Sequence, residues 1–339
     1  MKKERIFYFD AIKLVAVVCV FVCHFARTLE YYQISYNFKI LPNKLFSVYT
    51  GTVGCILFFI VSGAALMYIY LEEFSLKTFF RKRFLGIYPM FWVAFIIFFV
   101  LQFYIDKQYD KNIPIWRMLY SLTGFDGLLG FLCSTFYTVG EWFLGILIIL
   151  YILFPILRKL VNEFPYATLI VSILIGLIVD YSYENPKISV TLVPMVWLPA
   201  MVFGMVFVKC IKNTNIWVVI SSMFILAFFT LFDLSFFHEM TRIYFVGIAL
   251  FFVLVYLFEN LHGVVFRSLS VLIGRYCYPI FLVHHRVMFI FMKRFSGYQF
   301  SAGDIMCLFV LIIIITLLAS LLVDKATNSV LQVWGSENA

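Results

Sequence analysis

The chain has 339 residues and a formal net charge of +8 at pH 7. Hydrophobic residues make up 64% of it and charged residues only 13%, well below the roughly 25% charged residues of soluble globular domains. So few charges cannot cover a water-facing surface, which excludes a soluble protein, and the positive charge therefore does not indicate nucleic-acid binding.

Long apolar runs separated by short polar segments predict the fold. A bilayer core of about 30 Å requires roughly 20 apolar residues in a helix, whereas barrel strands are about half as long and alternate apolar with polar residues. We therefore predict an all-α, polytopic membrane helix bundle of about ten transmembrane helices. The predicted helices cover residues 11–29, 48–70, 85–105, 140–159, 165–180, 190–208, 216–233, 242–259, 270–291 and 304–323.

The chain shows no linker and no appended soluble domain, so we expect 1–339 to form one membrane domain. Its basic start resembles a signal peptide, but the first apolar run contains Lys13 and His24 and lacks a small-residue cleavage site. We therefore expect a retained first helix. The seven cysteines are odd in number and lack metal-ligand spacing, so we expect neither a disulfide framework nor a metal site.

The distribution of basic residues predicts the orientation. An even number of helices places both termini on one side, and Lys and Arg are more frequent on that side. The compact cluster Arg81, Lys82 and Arg83 contributes to this bias. We expect a multi-pass protein of the cell membrane with both termini in the cytoplasm.

The first predicted helix carries four ionisable residues. Lys13 and His24 are eleven positions apart, which places them on one helix face and about 16 Å apart along the axis. Asp10 and Arg27 fall on the same face. Because an ionisable side chain within a membrane costs at least a few kcal/mol, this stripe should face a cavity. We expect His24 to act as a general base towards a hydroxyl group, although a membrane histidine can also simply bridge helices.

Five short motifs resemble the acyltransferase-3 family in their residues and in their order. The motifs are Phe9–Lys13 with His24, Phe58–Gly63, Arg81–Pro89, Trp142–Leu144 with Tyr151 and Pro155, and Tyr278–His284. The sequence departs from the family pattern at two positions, where Lys13 and Gly86 stand in place of the usual arginines. Lysine keeps the charge but not the planar guanidinium fork, and glycine supplies no charge.

The resemblance implies a membrane O-acyltransferase. Such an enzyme moves an acyl group, commonly acetyl, from cytoplasmic acyl-CoA to a hydroxyl of a cell-surface or exported polysaccharide. The expected partners are therefore acyl-CoA (acetyl-CoA) as co-substrate, the envelope glycan as acceptor and the lipid bilayer, with no tightly bound cofactor. His24 would be the catalytic base. Glu141, predicted at a similar depth, would orient its imidazole, or would be a simple interfacial carboxylate.

The resemblance also assigns cations to the donor. Asp10 and Lys13 would be substrate-binding residues, and Lys13 would hold a donor anion or balance the charge of Asp10. Arg81, Lys82 and Arg83 would attract the CoA phosphates, because several fixed cations can draw a polyphosphate from solution. Basic residues that only set the membrane orientation would look the same in the sequence.

The ninth predicted helix is the second polar helix. Arg275 and Arg286 are eleven positions apart and share a face, to which an ideal helix adds His285 rather than His284. The family resemblance favours His284, and Pro279 can kink the helix and shift its phase. We predict Arg275, His284 and Arg286 as substrate-binding residues and leave open that the histidines are structural.

Other functional classes fit part of the sequence. A polysaccharide exporter or secondary transporter can also have about ten helices with ionisable residues, but related halves and paired broken helices are not visible here. A sensor or assembly partner would leave the polar stripe around His24 unexplained. Ser62 beside Gly63 could mark a serine nucleophile, but no nucleophile elbow surrounds it and close helix packing favours small residues.

Overall fold

The computed structural model describes residues 4–36, 43–106, 112–130, 132–136, 138–185, 188–232, 234, 236–261 and 263–337. This part of the chain is nearly all helix, which confirms the predicted all-α class. Its α-helices are α1 (Phe7–Tyr31), α2 (Thr50–Tyr70), α3 (Leu76–Asp106), α4 (Met118–Thr123), α5 (Asp126–Leu129), α6 (Glu141–Glu163), α7 (Pro165–Ser182), α8 (Leu198–Val206), α9 (Ile216–Leu231), α10 (Glu239–Glu259), α11 (Val264–Met292) and α12 (Ala302–Glu337).

Short elements complete the fold. Four two-residue strands form two pairs: β1 (Ser35–Tyr36) runs parallel to β4 (Gln299–Phe300), and β2 (Lys44–Leu45) runs antiparallel to β3 (Val48–Tyr49). Single turns of 3₁₀-helix cover Ile115–Arg117, Val190–Leu192, Pro194–Trp197 and Lys293–Phe295, and a π-helical turn covers Phe207–Ile211.

The helices coincide with the ten predicted membrane segments. Among the described residues, eight helical stretches are long and apolar enough to cross a membrane. They are Phe7–Tyr31, Thr50–Tyr70, Leu76–Ile105, Trp142–Glu163, Pro165–Ser182, Pro194–Ile211, Glu239–Glu259 and Ala302–Val333. Helix α9 is apolar but shorter, with 16 residues, and α11 is not among the eight. Large apolar side chains on α7 and α12, such as Ile178 and Leu322, are exposed, as expected for lipid-facing surfaces.

The chain divides into two compact units. The first contains the described residues of 1–23, 41–74 and 147–275, and the second contains those of 24–40, 75–146 and 276–339. Each unit is described by itself below. The expectation of one membrane domain over the whole chain stays a prediction.

In the first unit, α2 and α8 pack at very short distance because glycines meet backbone at their crossing. A Cβ atom on Gly63 would lie 2.0 Å from the carbonyl oxygen of Met201, and one on Gly204 would lie 1.9 Å from that of Ile60. Only a residue without a side chain fits at either position. Gly63 is therefore a packing residue, and the neighbouring Ser62 hydroxyl is hydrogen-bonded to the Tyr151 hydroxyl at 2.9 Å.

Charged side chains satisfy helix ends in the same unit. The Arg158 guanidinium donates to the carbonyls of Tyr70 and Leu71, the last carbonyls of α2, which lack intrahelical partners. The buried Asp180 carboxylate accepts the backbone N–H groups of Met240 and Thr241 in the first turn of α10. These polar groups at the end of α2 and the start of α10 are thus paired, which an apolar environment favours.

In the second unit, the segment between α3 and α6 is bound to α3 by side chains of that helix. The Tyr88 hydroxyl donates to the Thr123 carbonyl at 3.1 Å, and the Trp92 indole donates to the Leu122 carbonyl at 2.8 Å. Asp126, at the start of α5, is 2% exposed, and its carboxylate accepts a hydrogen bond from Ser121 at 3.0 Å. Burial raises the pKa of Asp126 to about 6, although the Ser121 hydrogen bond lowers it in part.

Backbone hydrogen bonds also join the end of α1 to the segment before α12 in the second unit. The Ser35 N–H donates to the Tyr298 carbonyl at 3.0 Å, and the Gly297 N–H donates to the Tyr32 carbonyl at 3.0 Å. Gly297 has a φ of +78°, in the left-handed region that favours glycine. Together with the β1–β4 pair, these bonds fix the end of α1 beside the end of α11.

Candidate functional site

Three histidines meet in the second unit. The ring centroid of His24, on α1, lies 5.1 Å from that of His284 and 4.7 Å from that of His285, both on α11. His284 is 1% exposed, whereas His24 and His285 are half-buried. The structure therefore brings the predicted residues His24 and His284 together, and it adds His285. Both the helical wheel, which favoured His285, and the family resemblance, which favoured His284, lead to neighbours of His24.

The hydrogen bonds of His284 define its tautomer. Its Nδ1 lies 2.8 Å from the Phe281 carbonyl oxygen and 3.1 Å from the Ile280 carbonyl oxygen, one turn earlier in α11. Because a carbonyl oxygen only accepts hydrogen bonds, Nδ1 must carry the proton in the neutral ring. The basic nitrogen of the neutral His284 is therefore Nε2.

Aromatic side chains surround the histidines on two sides. The Phe281 ring lies beside His284 at 6.1 Å and beside Phe143 of α6 at 5.3 Å between centroids. On the other side, Phe289 contacts His285 edge-to-face at 4.6 Å. This apolar setting limits water near the imidazoles and strengthens electrostatic interactions there.

Arg286 lies next to the histidines in the sequence but is engaged with the backbone. Its guanidinium donates from Nε to the carbonyl oxygen of Thr138, in the segment that precedes α6. The carbonyl belongs to a buried residue, so Arg286 fixes this segment beside α11. The predicted substrate-binding role of Arg286 stays a prediction, and the contact shows a positioning role.

In the first unit, the other half of the predicted polar stripe forms an ion-pair group. Asp10 is 3% exposed and pairs with Arg5, and its second oxygen lies 3.5 Å from Nζ of Lys13. Arg5 also donates to the Val271 carbonyl of α11. A Cβ atom on Gly274 would come within 2.9 Å of Asp10, so α11 approaches the carboxylate closely.

The basic cluster lies on the first turns of α3. Arg81 and Lys82 are exposed and Arg83 is half-buried. The N-terminus of a helix carries about half a positive charge, so cations near it do not stabilise the helix but add to its positive potential. The surface is suited to an anion. Gly86, one turn later, is exposed, and nothing lies within 4 Å of a Cβ atom built on it.

Two further predicted site residues, Glu141 and Arg275, also lack a described contact with the histidines. Glu141 is the first residue of α6, but its side chain lies outside the described residues, so its action on His24 stays a prediction. Arg275 is exposed on α11 and belongs to the first unit. Its substrate-binding role also stays a prediction.

Two residues of these polar clusters, Arg5 and His285, are not among the predicted site residues. Arg5 precedes α1 in the basic start of the chain, and its position five residues before Asp10 is the sequence signal for the ion pair. His285 appeared on the helical wheel and was not chosen. Within the described part of the chain, no group of three or more His, Cys, Asp or Glu side chains is placed to hold a metal ion.

Comparisons with known proteins agree with this picture. Residues 6–325 match the family described as acyltransferase domain. The protein named acyltransferase MdmB from Streptomyces mycarofaciens is 26% identical over 161 residues, which cover 44% of this chain and 38% of that protein. The match thus spans less than half the length of this relative. No solved structure matches the chain.

Proposed function

Because the chain belongs to the acyltransferase-3 family, we propose that it is a membrane O-acyltransferase. The transferred acyl group is acetyl, the donor is cytoplasmic acyl-CoA, and the acceptor is a hydroxyl group of a cell-surface or exported polysaccharide. The observation that carries this proposal is the contact between His24 and His284, two imidazoles held by separate helices in an apolar setting. Acyl transfer to a hydroxyl needs a base for the hydroxyl proton, and imidazole is the side chain most often used for it.

We assign the general base to His24. As the acceptor oxygen attacks the thioester carbonyl, its proton passes to an unprotonated ring nitrogen of His24. When the tetrahedral intermediate collapses, the carbon–sulfur bond breaks and the CoA thiolate takes the proton back from the imidazolium. The products are the sugar ester and free CoA, and His24 ends in its starting state.

We assign a positioning role to His284. Its Nδ1–H is bound to the Phe281 carbonyl, so its ring is fixed. The edge-to-face contact with His24 restricts the orientation of the His24 ring. A base held in a fixed orientation reaches the reactive geometry at a lower entropic cost, which raises the rate of acyl transfer.

The donor is proposed to bind through cations. Arg81, Lys82 and Arg83 at the start of α3 provide a positive surface for the CoA phosphates. In the first unit, Lys13 beside Asp10 is proposed separately as a cation for a donor anion. Phosphates are attracted by such clusters over several ångströms, an effect that salt weakens. Acyl-CoA acts as a co-substrate and not as a bound cofactor.

Labelled acetyl-CoA tests the activity. The purified protein in liposomes receives radiolabelled acetyl-CoA and extracted cell-surface polysaccharide, and label in the polysaccharide is counted. His24→Ala should lower the transfer about 100-fold or more, the usual contribution of a general base. The matched control is His238→Phe, since His238 lies outside the cluster and stacks on Tyr181 at 3.9 Å, a contact that phenylalanine preserves.

The results separate the proposed functions. Unchanged transfer by His24→Ala, with the same thermal unfolding as the wild type, would refute the assigned base. If liposomes move unmodified polysaccharide without transferring label, an exporter replaces the proposed enzyme.

The proposed orientation is tested in intact cells. Both termini and the start of α3 are placed in the cytoplasm of the cell membrane, following the distribution of basic residues. In a cysteine-free background, Lys82→Cys should resist a membrane-impermeant thiol reagent until the cells are permeabilised. Labelling before permeabilisation would reverse the orientation and would separate the basic cluster from cytoplasmic acyl-CoA.

A further inference from the structure

A cavity of about 620 Å³ lies inside the first unit, between α7, α9 and α10, with α2 and α8 at its floor. Its walls are mainly aliphatic and aromatic, for example Ile173 and Leu177 of α7 and Ile225 of α9. A volume of this size is in the range of sites that bind organic molecules. None of its lining residues belongs to the histidine cluster.

Three hydroxyl groups of the lining are already bonded to the protein. The Tyr244 hydroxyl donates to the Val196 carbonyl, the Thr241 hydroxyl donates to Asp180, and the Ser221 hydroxyl donates to the Trp217 carbonyl. A buried water needs two to four polar partners, and this lining offers few. The cavity is therefore suited neither to ordered water nor to a sugar, and it is suited to hydrocarbon.

The cavity opens to the surface that faces lipid. Trp217 and Phe245 both line it and are 72% and 48% exposed, respectively. Helices α7 and α10 are long and apolar enough to cross a membrane, so the opening lies where bilayer hydrocarbon surrounds the protein. The cavity is thus continuous with the lipid-exposed surface.

The lining residues of α9 show the direction in which a bound molecule would lie. From Trp217 to Ile225 the lining follows α9 over eight positions, which corresponds to about 12 Å. The Trp217 end adjoins the polar start of α9, where Asn215 caps the helix and Lys212 is exposed. Tryptophan and lysine are typical of the membrane interface, and a lysine there can face a phosphate.

We propose that this cavity binds one acyl chain of a bilayer phospholipid, with the headgroup at the Trp217 end and the chain running towards Leu177 and Thr241. The chain fills space that would otherwise leave the lining without contacts, since interiors of proteins are close-packed. The site is independent of the proposed acyl transfer.

Photolabelling tests the proposal. The wild type is placed in liposomes that contain a phospholipid with a diazirine near the end of one acyl chain, irradiated and digested. Mass spectrometry should locate the label on lining residues such as Leu177 and Ile225. Ala249→Phe, which adds a ring at a buried lining position, should lower this labelling at least five-fold. The matched control Leu257→Phe changes a residue of α10 that is 48% exposed and does not line the cavity, and should keep the labelling.

A second variant keeps the test valid if Ala249→Phe does not fold. Ile225 of α9 is half-buried, so a larger ring is more easily accommodated there. Ile225→Trp fills the cavity from this side and should also lower the labelling at least five-fold. Labelling that avoids the lining, or that stays at the wild-type level in both filling variants, would overturn the proposal. A diazirine fatty acid that labels the lining where the phospholipid does not would also overturn it, because the source of the chain would then be a free acid.

Discussion

The buried carboxyl of Asp126 predicts a specific dependence of stability on pH. Burial raises its pKa from 3.8 to about 6, so the folded protein favours the neutral acid. Between these two values the folded state keeps a proton that the unfolded state releases. Stability therefore falls as the pH rises through this range, and above about pH 6 the loss is complete.

The magnitude follows from the shift. About two pKa units at 1.36 kcal/mol each give a loss of about 3 kcal/mol at pH 8. Asp126→Asn removes the titration and keeps an oxygen that accepts the Ser121 hydrogen bond. We expect the variant to exceed the wild type in free energy of unfolding by up to about 3 kcal/mol at pH 8, and by less than about 1 kcal/mol at pH 4.

The measurement is SDS-induced unfolding of the protein in nonionic detergent at both pH values, with the variant compared to the wild type so that other groups cancel. Ser121→Ala serves as the control, since losing the donor to Asp126 should raise the pKa further and steepen the dependence on pH. An equal difference between Asp126→Asn and the wild type at pH 4 and pH 8 would refute the reasoning.

Three further substitutions test the packing and the basic surface. Gly204→Ala places a methyl group against the Ile60 carbonyl and should cost more than about 3 kcal/mol, seen as loss of monodisperse protein in gel filtration. Arg158→Met leaves the last carbonyls of α2 unpaired and should lower the free energy of unfolding by about 1.5–3 kcal/mol in SDS titration. Gly86→Arg meets no steric obstacle and should raise stability by about 0.5–1 kcal/mol and lower the KM for acyl-CoA several-fold. An unchanged KM for acyl-CoA would show that the α3 cations do not bind the donor.

The helices could be predicted because the length of an apolar run in a membrane protein can be read directly from the sequence. Nine of the ten apolar runs lie mainly in one α-helix, since a run of this length has no other way to satisfy its backbone in lipid, and the run 190–208 contains the short α8 between 3₁₀ and π turns. The crossing of α2 and α8 could not be predicted. A glycine in a sequence does not reveal its partner, and the contact of Gly63 with Met201 exists only after the chain has folded.

The site was predicted in part for a similar reason. Spacing along α1 placed Asp10, Lys13 and His24 on one helix, and that helix is continuous. The choice between His284 and His285 depended on the phase of α11, which Pro279 inside the helix makes hard to compute from sequence. Both rings reach His24, so the two sequence arguments were each incomplete.

The backbone clasp at Tyr32, Ser35, Gly297 and Tyr298 has a consequence for how the family chemistry can vary. It joins the ends of the two histidine-bearing helices mainly through main-chain atoms, so at Tyr32, Ser35 and Tyr298 it does not depend on the identity of the side chain. Substitutions at these three positions can therefore accumulate while the imidazoles keep their spacing. Proline, which lacks the donor hydrogen, would release the clasp at Ser35, and at Gly297 the left-handed φ of +78° also disfavours residues other than glycine.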